Sequence, residues 1–193
     1  MRLHKRNDLN RREFVRLTMG LTTASLTGVL GDSLASAQKD AGETAWPSFR
    51  NGNQLKGIAT SPLPAKLELL WKVPVDDGVT ATAAIVGDHV YAGTYGGELI
   101  CFDRKTGNRV WTYFSAKKEK PASFIPGFQS SPTVTGDLVV IGDEDGFFHA
   151  VDRATGKLRW KHETLAEIIS SAAVVGDRII FGSYDQTLYC LGR

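Results

Sequence analysis

The chain has 193 residues, with 23 Lys+Arg against 21 Asp+Glu and a formal net charge of +2. Residues 1–37 hold six of the basic and three of the acidic side chains, so the remainder carries 17 against 18 and is slightly acidic. That balance excludes a strongly basic footprint, and no nucleic-acid partner is expected.

Asn10-Arg11-Arg12-Glu13-Phe14 leads into an apolar run from Leu17 to Leu30. The 14 residues of this run are fewer than the roughly 18 that a membrane-spanning helix needs. The run ends at the small-x-small site Ala35-Ser36-Ala37. With Arg11, Arg12, Phe14, Ala35 and Ala37 as signal residues, 1–37 reads as a twin-arginine signal peptide and Gln38 as the first mature residue. The alternative is a surface helix that happens to contain Arg-Arg. No cysteine follows the run, so a lipid anchor is not expected. The product is expected in the periplasm or otherwise exported by the twin-arginine pathway, meeting the membrane only during export.

Residues 38–66 are rich in Gly, Pro, Asn and Ser and read as an irregular N-terminal extension. Trp46-Pro47-Ser48-Phe49-Arg50 is its marked patch, expected to cap one end of the repeat array that begins at residue 67, with ligand stacking as the alternative.

From residue 67 the chain repeats. Trp71, Trp111 and Trp160 are spaced by 40 and 49 residues, and the last two close one phrase: Asp103-x-x-Thr106-Gly107-x-x-x-Trp111 and Asp152-x-x-Thr155-Gly156-x-x-x-Trp160. A period in this range marks a stacked or radial repeat architecture. Gly87-Asp88, Gly136-Asp137 and Gly176-Asp177 occupy matching positions and predict two-residue hairpins with glycine first, as a type II′ turn requires. The strands after them are apolar at successive positions, which predicts sheets covered on both faces. The strands before them are small (Ala81, Ala83, Ala84; Ser130, Ser131, Pro132; Ser170 to Ala173) and predict convergence on an axis.

The fold class predicted is therefore all-β: a partial β-propeller of about three four-stranded antiparallel blades in residues 67–193. Blade three stops where its outer strand should follow, and the strand 67–73, with its orphan Trp71, is the one candidate to complete it. This shortfall implies a truncated form of a longer protein or closure by oligomerising, because open blade edges invite pairing. In the repeated phrase, Asp103 and Asp152 are expected to accept turn N–H groups, Thr106 and Thr155 to support them, and Gly107 and Gly156 to supply positive φ.

These motifs resemble the PQQ-like repeat propellers of the quinoprotein alcohol dehydrogenase-like class. The sequence is similar in style to periplasmic repeat proteins like the outer-membrane assembly factor BamB, including those with a Trp-Pro-x-aromatic-Arg start. The resemblance covers residues 46–193 and specifies fold better than activity. It implies seven or eight blades, more than this chain supplies. Under its enzymatic branch it implies a PQQ site with calcium ligands and often an adjacent-cysteine disulfide, and this sequence has no Cys-Cys pair.

Chemistry-bearing candidates are few. His4, His89, His149 and His162 show no metal-ligand spacing, and Asp143-Glu144-Asp145-Gly146 lacks the longer series of a calcium loop and reads as a turn. Cys101 and Cys190 hold the same repeat position; two buried thiols are expected in preference to a disulfide. No catalytic, cofactor-binding or metal residue is assigned. The link between Trp111 and Gly136 exceeds its counterpart by nine residues. Its surplus contains Lys117, Lys118, Lys120, Phe124 and Phe128, a candidate partner loop with aromatic anchors and steering lysines, or else a solvated insertion. Two functions fit these residues: an exported non-catalytic interaction or assembly scaffold without cofactor, whose partner is a protein or a second copy at the open edges, or a fragment of a PQQ-dependent dehydrogenase using PQQ and calcium.

Overall fold

A computed structural model describes residues 45–52, 54, 56–59, 61–116 and 125–192. The signal residues Arg11, Arg12, Phe14, Ala35 and Ala37, and Lys117, Lys118, Lys120 and Phe124 of the partner loop, lie outside the described residues. Among the described residues no helix is long and apolar enough to cross a membrane.

Among the described residues eleven strands form three antiparallel sheets, which are the blades. Blade I is β1 (Ala84–Val86), β2 (His89–Gly93), β3 (Glu98–Asp103) and β4 (Arg109–Phe114), in that spatial order. Blade II repeats it with β5 (Thr133–Thr135), β6 (Leu138–Gly142), β7 (Phe147–Asp152) and β8 (Leu158–Glu163). Blade III has β9 (Ala173–Val175), β10 (Arg178–Gly182) and β11 (Leu188–Gly192). The first hairpin of each blade closes through the predicted Gly-Asp pair: Val86 faces His89 across it, and Gly87 adopts φ +60°. A positive φ at the first central residue alone is the II′ geometry.

Successive apolar positions within a strand divide between two neighbours. In β3, Leu99 and Cys101 enter a core shared with Phe128, Val134, Val139, Ile141 and Val151 near blade II. Ile100 and Phe102 of the same strand enter another, packed against Val73 and Val75. The interface of blades II and III is filled by Val140, Phe148 and Ala150 against Ile168, Ile179 and Phe181, with the Phe148 and Phe181 rings stacked 3.9 Å apart. Each outer strand carries one bulge, opposite Cys101/Phe102 in blade I and Ala150/Val151 in blade II. The bulge sits beside the tryptophan and re-aims the strand there.

Two expectations change. The inner strands begin later than the small residues predict, at Ala84, Thr133 and Ala173, because Thr82 and Ser131 bond to the neighbouring blade and Ser130 and Ser170 to strand ends in place of a ladder partner. Segment 67–73 forms no strand and does not complete blade III. Its Trp71 is held against blade I, stacked on Phe102 at 6.3 Å, which fixes the segment at the other end of the row.

Candidate functional site

The hub is built from small polar residues because side chains converging there have little room. Thr82 N donates to Ser131 Oγ at 3.1 Å, and Ser131 N donates to Ser171 Oγ at 3.0 Å, so one hydrogen-bonded step recurs from blade I through blade III. Ser130 Oγ closes on the end of β6, donating to Gly142 O and accepting from Gly142 N, both at 2.9 Å. Ser170 makes the same pair of bonds to Gly182. An open recess of about 430 Å³ lies beside these groups, lined by Phe49, Thr80, Thr82, Gln129, Ser131 and Ser171 with Ala81, Ile169 and Ser170.

The Trp46 patch is laid over the inner strands. Trp46 exchanges two 2.7 Å backbone hydrogen bonds with Ile85 of β1, and Pro47 O accepts from Val134 N of β5 at 2.8 Å. The patch therefore straddles blades I and II and brings Phe49, 44% exposed, to the recess.

A second cluster joins His149 and Asp143, weighed separately in the sequence, to Tyr113. His149 of β7 is fully buried, with Nε2 2.8 Å from Asp143 Oδ2 and Nδ1 2.8 Å from Tyr113 Oη of blade I. A carboxylate only accepts, so the tautomer that satisfies both contacts has Nε2–H donating to Asp143 Oδ2 and Nδ1 accepting a hydrogen bond from the Tyr113 hydroxyl. Asp143 Oδ1 accepts from Asp145 N and Phe147 N. Burial, with the Asp143 charge second, pushes the Tyr113 phenol up to about 12. His149 and Asp143 are 0% and 1% exposed, and both ring nitrogens and both carboxylate oxygens have partners within the protein. This cluster clamps blade I to blade II. The signal available in the sequence is a histidine inside the apolar run 147–151, six residues after a turn aspartate.

The same contact recurs in each gap. The residue two after each rim tryptophan meets the next blade's third strand: Val73 packs in the core holding Ile100, Tyr113 bonds His149, and His162 lies edge-on to Tyr189 at 5.4 Å. The tryptophans behave alike. Trp71 Nε1 donates to Arg104 O at 2.9 Å and Trp111 Nε1 to Arg153 O at 3.0 Å, each reaching the Asp-x-x-Thr-Gly turn of the next blade. In those turns Asp103 Oδ1 accepts from Lys105 N, Thr106 N and Thr106 Oγ1, and Asp152 Oδ1 from Ala154 N, Thr155 N and Thr155 Oγ1. The threonine hydroxyl first, then backbone N–H groups, hold both carboxyls below the usual carboxylate range. Gly107 and Gly156 sit at φ +74° and +70° beneath the indoles. Trp160 packs in the blade II–III core beside Phe148.

The other sequence candidates separate. Phe128 is fully buried between blades I and II and edge-on to His149, so it is a core residue and not a partner anchor. The described end of its loop, 125–129, is tied to the Asp143–Gly146 turn by Gly127 N to Glu144 Oε2 and by Gln129 Nε2 to Glu144 Oε1. Cys101 is buried, its thiol pushed up to about 12 by burial, whereas Cys190 is exposed on the outer face of blade III, contrary to the expectation of two buried thiols. Among the described residues no group of three or more His, Cys, Asp or Glu is placed to hold a metal ion.

Comparison with known proteins places this geometry. Residues 115–192 match the family model for the outer membrane protein assembly factor BamB. The chain is 28% identical over 189 residues to BamB of Burkholderia pseudomallei, covering 96% of this chain and 42% of that protein. It is 37% identical over 95 residues to a quinohemoprotein alcohol dehydrogenase of Pseudomonas putida, covering 46% of this chain and 13% of that one. Two solved structures share the fold at 24% identity. BamB from Moraxella catarrhalis has a TM-score of 0.53, covering 62% of this chain and 39% of its own. The quinohemoprotein alcohol dehydrogenase from Comamonas testosteroni has a TM-score of 0.59, covering 80% and 25%. The chain thus spans less than half the length of these relatives.

Proposed function

We propose that this chain, which carries the PQQ-like propeller repeat, acts as an exported, non-catalytic protein-interaction or assembly scaffold in the periplasm. The observation that carries this reading is the use made of its chemistry-bearing side chains. Asp143, His149 and Tyr113 clamp two blades, Asp103 and Asp152 tie turns, and the hub serines bond neighbouring blades. Residues 1–37 act as the twin-arginine leader, 38–66 as an extension whose patch caps the hub, and 67–193 as the blades. The match over nearly the whole chain to a protein named for assembly at the outer membrane supports export and a protein partner. Lys117, Lys118, Lys120 and Phe124 are the loop residues offered to that partner.

The 37% identity to a dehydrogenase favours the second reading, a segment of a PQQ-dependent alcohol or sugar dehydrogenase. The recess does not fit it. Its described lining presents neutral hydroxyls, one carboxamide and apolar groups, where a carboxylated quinone and its calcium need charged donors and carboxylates.

Dye-linked alcohol oxidation by the full chain, loaded with PQQ and calcium, separates the two. The scaffold reading expects no turnover above the unloaded chain, and turnover overturns it. Export is tested in parallel by fractionating cells that express the chain or its Arg11→Lys/Arg12→Lys variant. Equal periplasmic recovery of the two would overturn the twin-arginine assignment.

A further inference from the structure

β1 and β5 are the inner edges of blades I and II, and an edge strand presents backbone groups that its own sheet does not use. Both blades have all four strands, so these edges belong to the fold itself. Residues 46 and 47 satisfy them from outside the sheets. Ile85 N donates to Trp46 O and Trp46 N to Ile85 O, both at 2.7 Å, and Val134 N donates to Pro47 O at 2.8 Å. Proline has no N–H, so the ladder with β1 stops after one residue and the next carbonyl reaches β5 instead.

This crossing is costly to hold. Trp46 Nε1 is buried with no hydrogen-bond partner among the described residues, a desolvated donor that regains water on release. Arg50 and Asn51 adopt φ +55° and +61°, and Gly52 follows at +74°. For an arginine the left-handed region is strained, so seating the segment costs backbone strain as well. The two blades do not depend on it to stay together. Thr82 to Ser131, Trp111 to Arg153 and Tyr113 to His149 already join them.

We infer that residues 46–50 are a releasable strap that fills, in cis, a strand-addition site on β1 and β5, and that this site takes an extended segment of a partner protein in which an aromatic residue precedes proline. The cis occupant defines the chemistry. Three backbone hydrogen bonds give affinity whatever the sequence, and the aromatic–proline step gives specificity, because proline ends the ladder where the segment crosses from blade I to blade II. The inference rests on the interaction reading and deepens it by naming the kind of segment bound, at residues separate from the 117–124 loop.

Native-state hydrogen exchange on the unsubstituted full chain tests release without any variant. The Ile85 and Val134 amides lie in different blades, 49 residues apart, and each donates to the strap. They should share one protection factor, lower by at least about a hundredfold than those of Leu99 and Val139 inside the same two sheets. Protection equal to those core amides, or two unrelated values, overturns the release. The site is tested with a labelled synthetic peptide carrying the sequence of residues 44–52. It should bind the full-length Trp46→Ala chain at least about tenfold more tightly than the unsubstituted chain, whose strap competes for the same edges, and the same peptide with alanine for its tryptophan should not. Equal binding by both chains or by both peptides, or none to the folded variant, overturns the strand-addition site. Turnover in the dye-linked assay bears on the scaffold reading alone.

Discussion

Trp111 of blade I rests on Gly156 of blade II so closely that a β-carbon on the glycine would stand 2.7 Å from the indole Cδ2. Trp71 and Gly107 repeat the relationship at 2.7 Å one blade earlier. The glycine of the repeated phrase is therefore fixed twice, by its positive φ and by the ring above it.

Gly156→Ala should consequently cost about 2–4 kcal/mol, from left-handed strain plus displacement of an indole that also bonds Arg153 O. Gly176→Ala is the control. Its φ is +61° with nothing within 4 Å, so strain alone, about 1–2 kcal/mol, remains. Urea midpoints of the two variants test the difference, and equal losses would show that the indole yields freely.

Ser130→Ala and Ser170→Ala remove the same two backbone bonds, from Gly142 and Gly182 respectively. Ser130 is buried and Ser170 exposed. The first should destabilise by about 1–3 kcal/mol, since Gly142 is left without a partner, and the second by less than about 0.5 kcal/mol, since water replaces the hydroxyl. Denaturant titration of both variants should rank them in that order.

Tyr113 links the blade clamp to pH. Its folded pKa is raised from 10.0 to about 12, so its contribution is fully present below pH 10 and is lost as pH rises through 12. The unsubstituted chain should weaken across that window. Tyr113→Phe should be less stable at pH 8 and show a shallower decline between pH 10 and 12, by up to about one proton per chain. Parallel slopes for the two proteins would remove Tyr113 from the linkage.

Phe128→Ala should cost about 3–5 kcal/mol, as expected for a fully buried phenylalanine. A loss below about 1 kcal/mol would return Phe128 to the surface, as its place in the lysine-bearing insertion suggests.

The local part of this fold is legible in the sequence. Asp103, Thr106, Gly107 and their partners in blade II satisfy one another within five residues, so their spacing alone implies the turn, and Gly87-Asp88 implies its hairpin in the same way. The part that sequence does not reveal lies between blades. Trp71 needs the identity of the blade it docks on, Phe128 needs the gap it fills, and the Tyr113–His149 bond joins residues 36 apart. Periodicity shows that strands stack but not which side chains meet, and a buried histidine differs from a surface one only once its partners are placed. Phe128 misleads because an aromatic next to a lysine-bearing insertion looks like an anchor until the insertion's end is seen to enter the core.

Because each contact set, tryptophan to turn and rim residue to third strand, passes only to the adjacent blade, the three blades behave as links with nearest-neighbour coupling. Blade II shares one core with blade I and another with blade III. Amide protons of β6 and β7 should therefore be among the last to exchange, because two packed interfaces must part before their sheet opens.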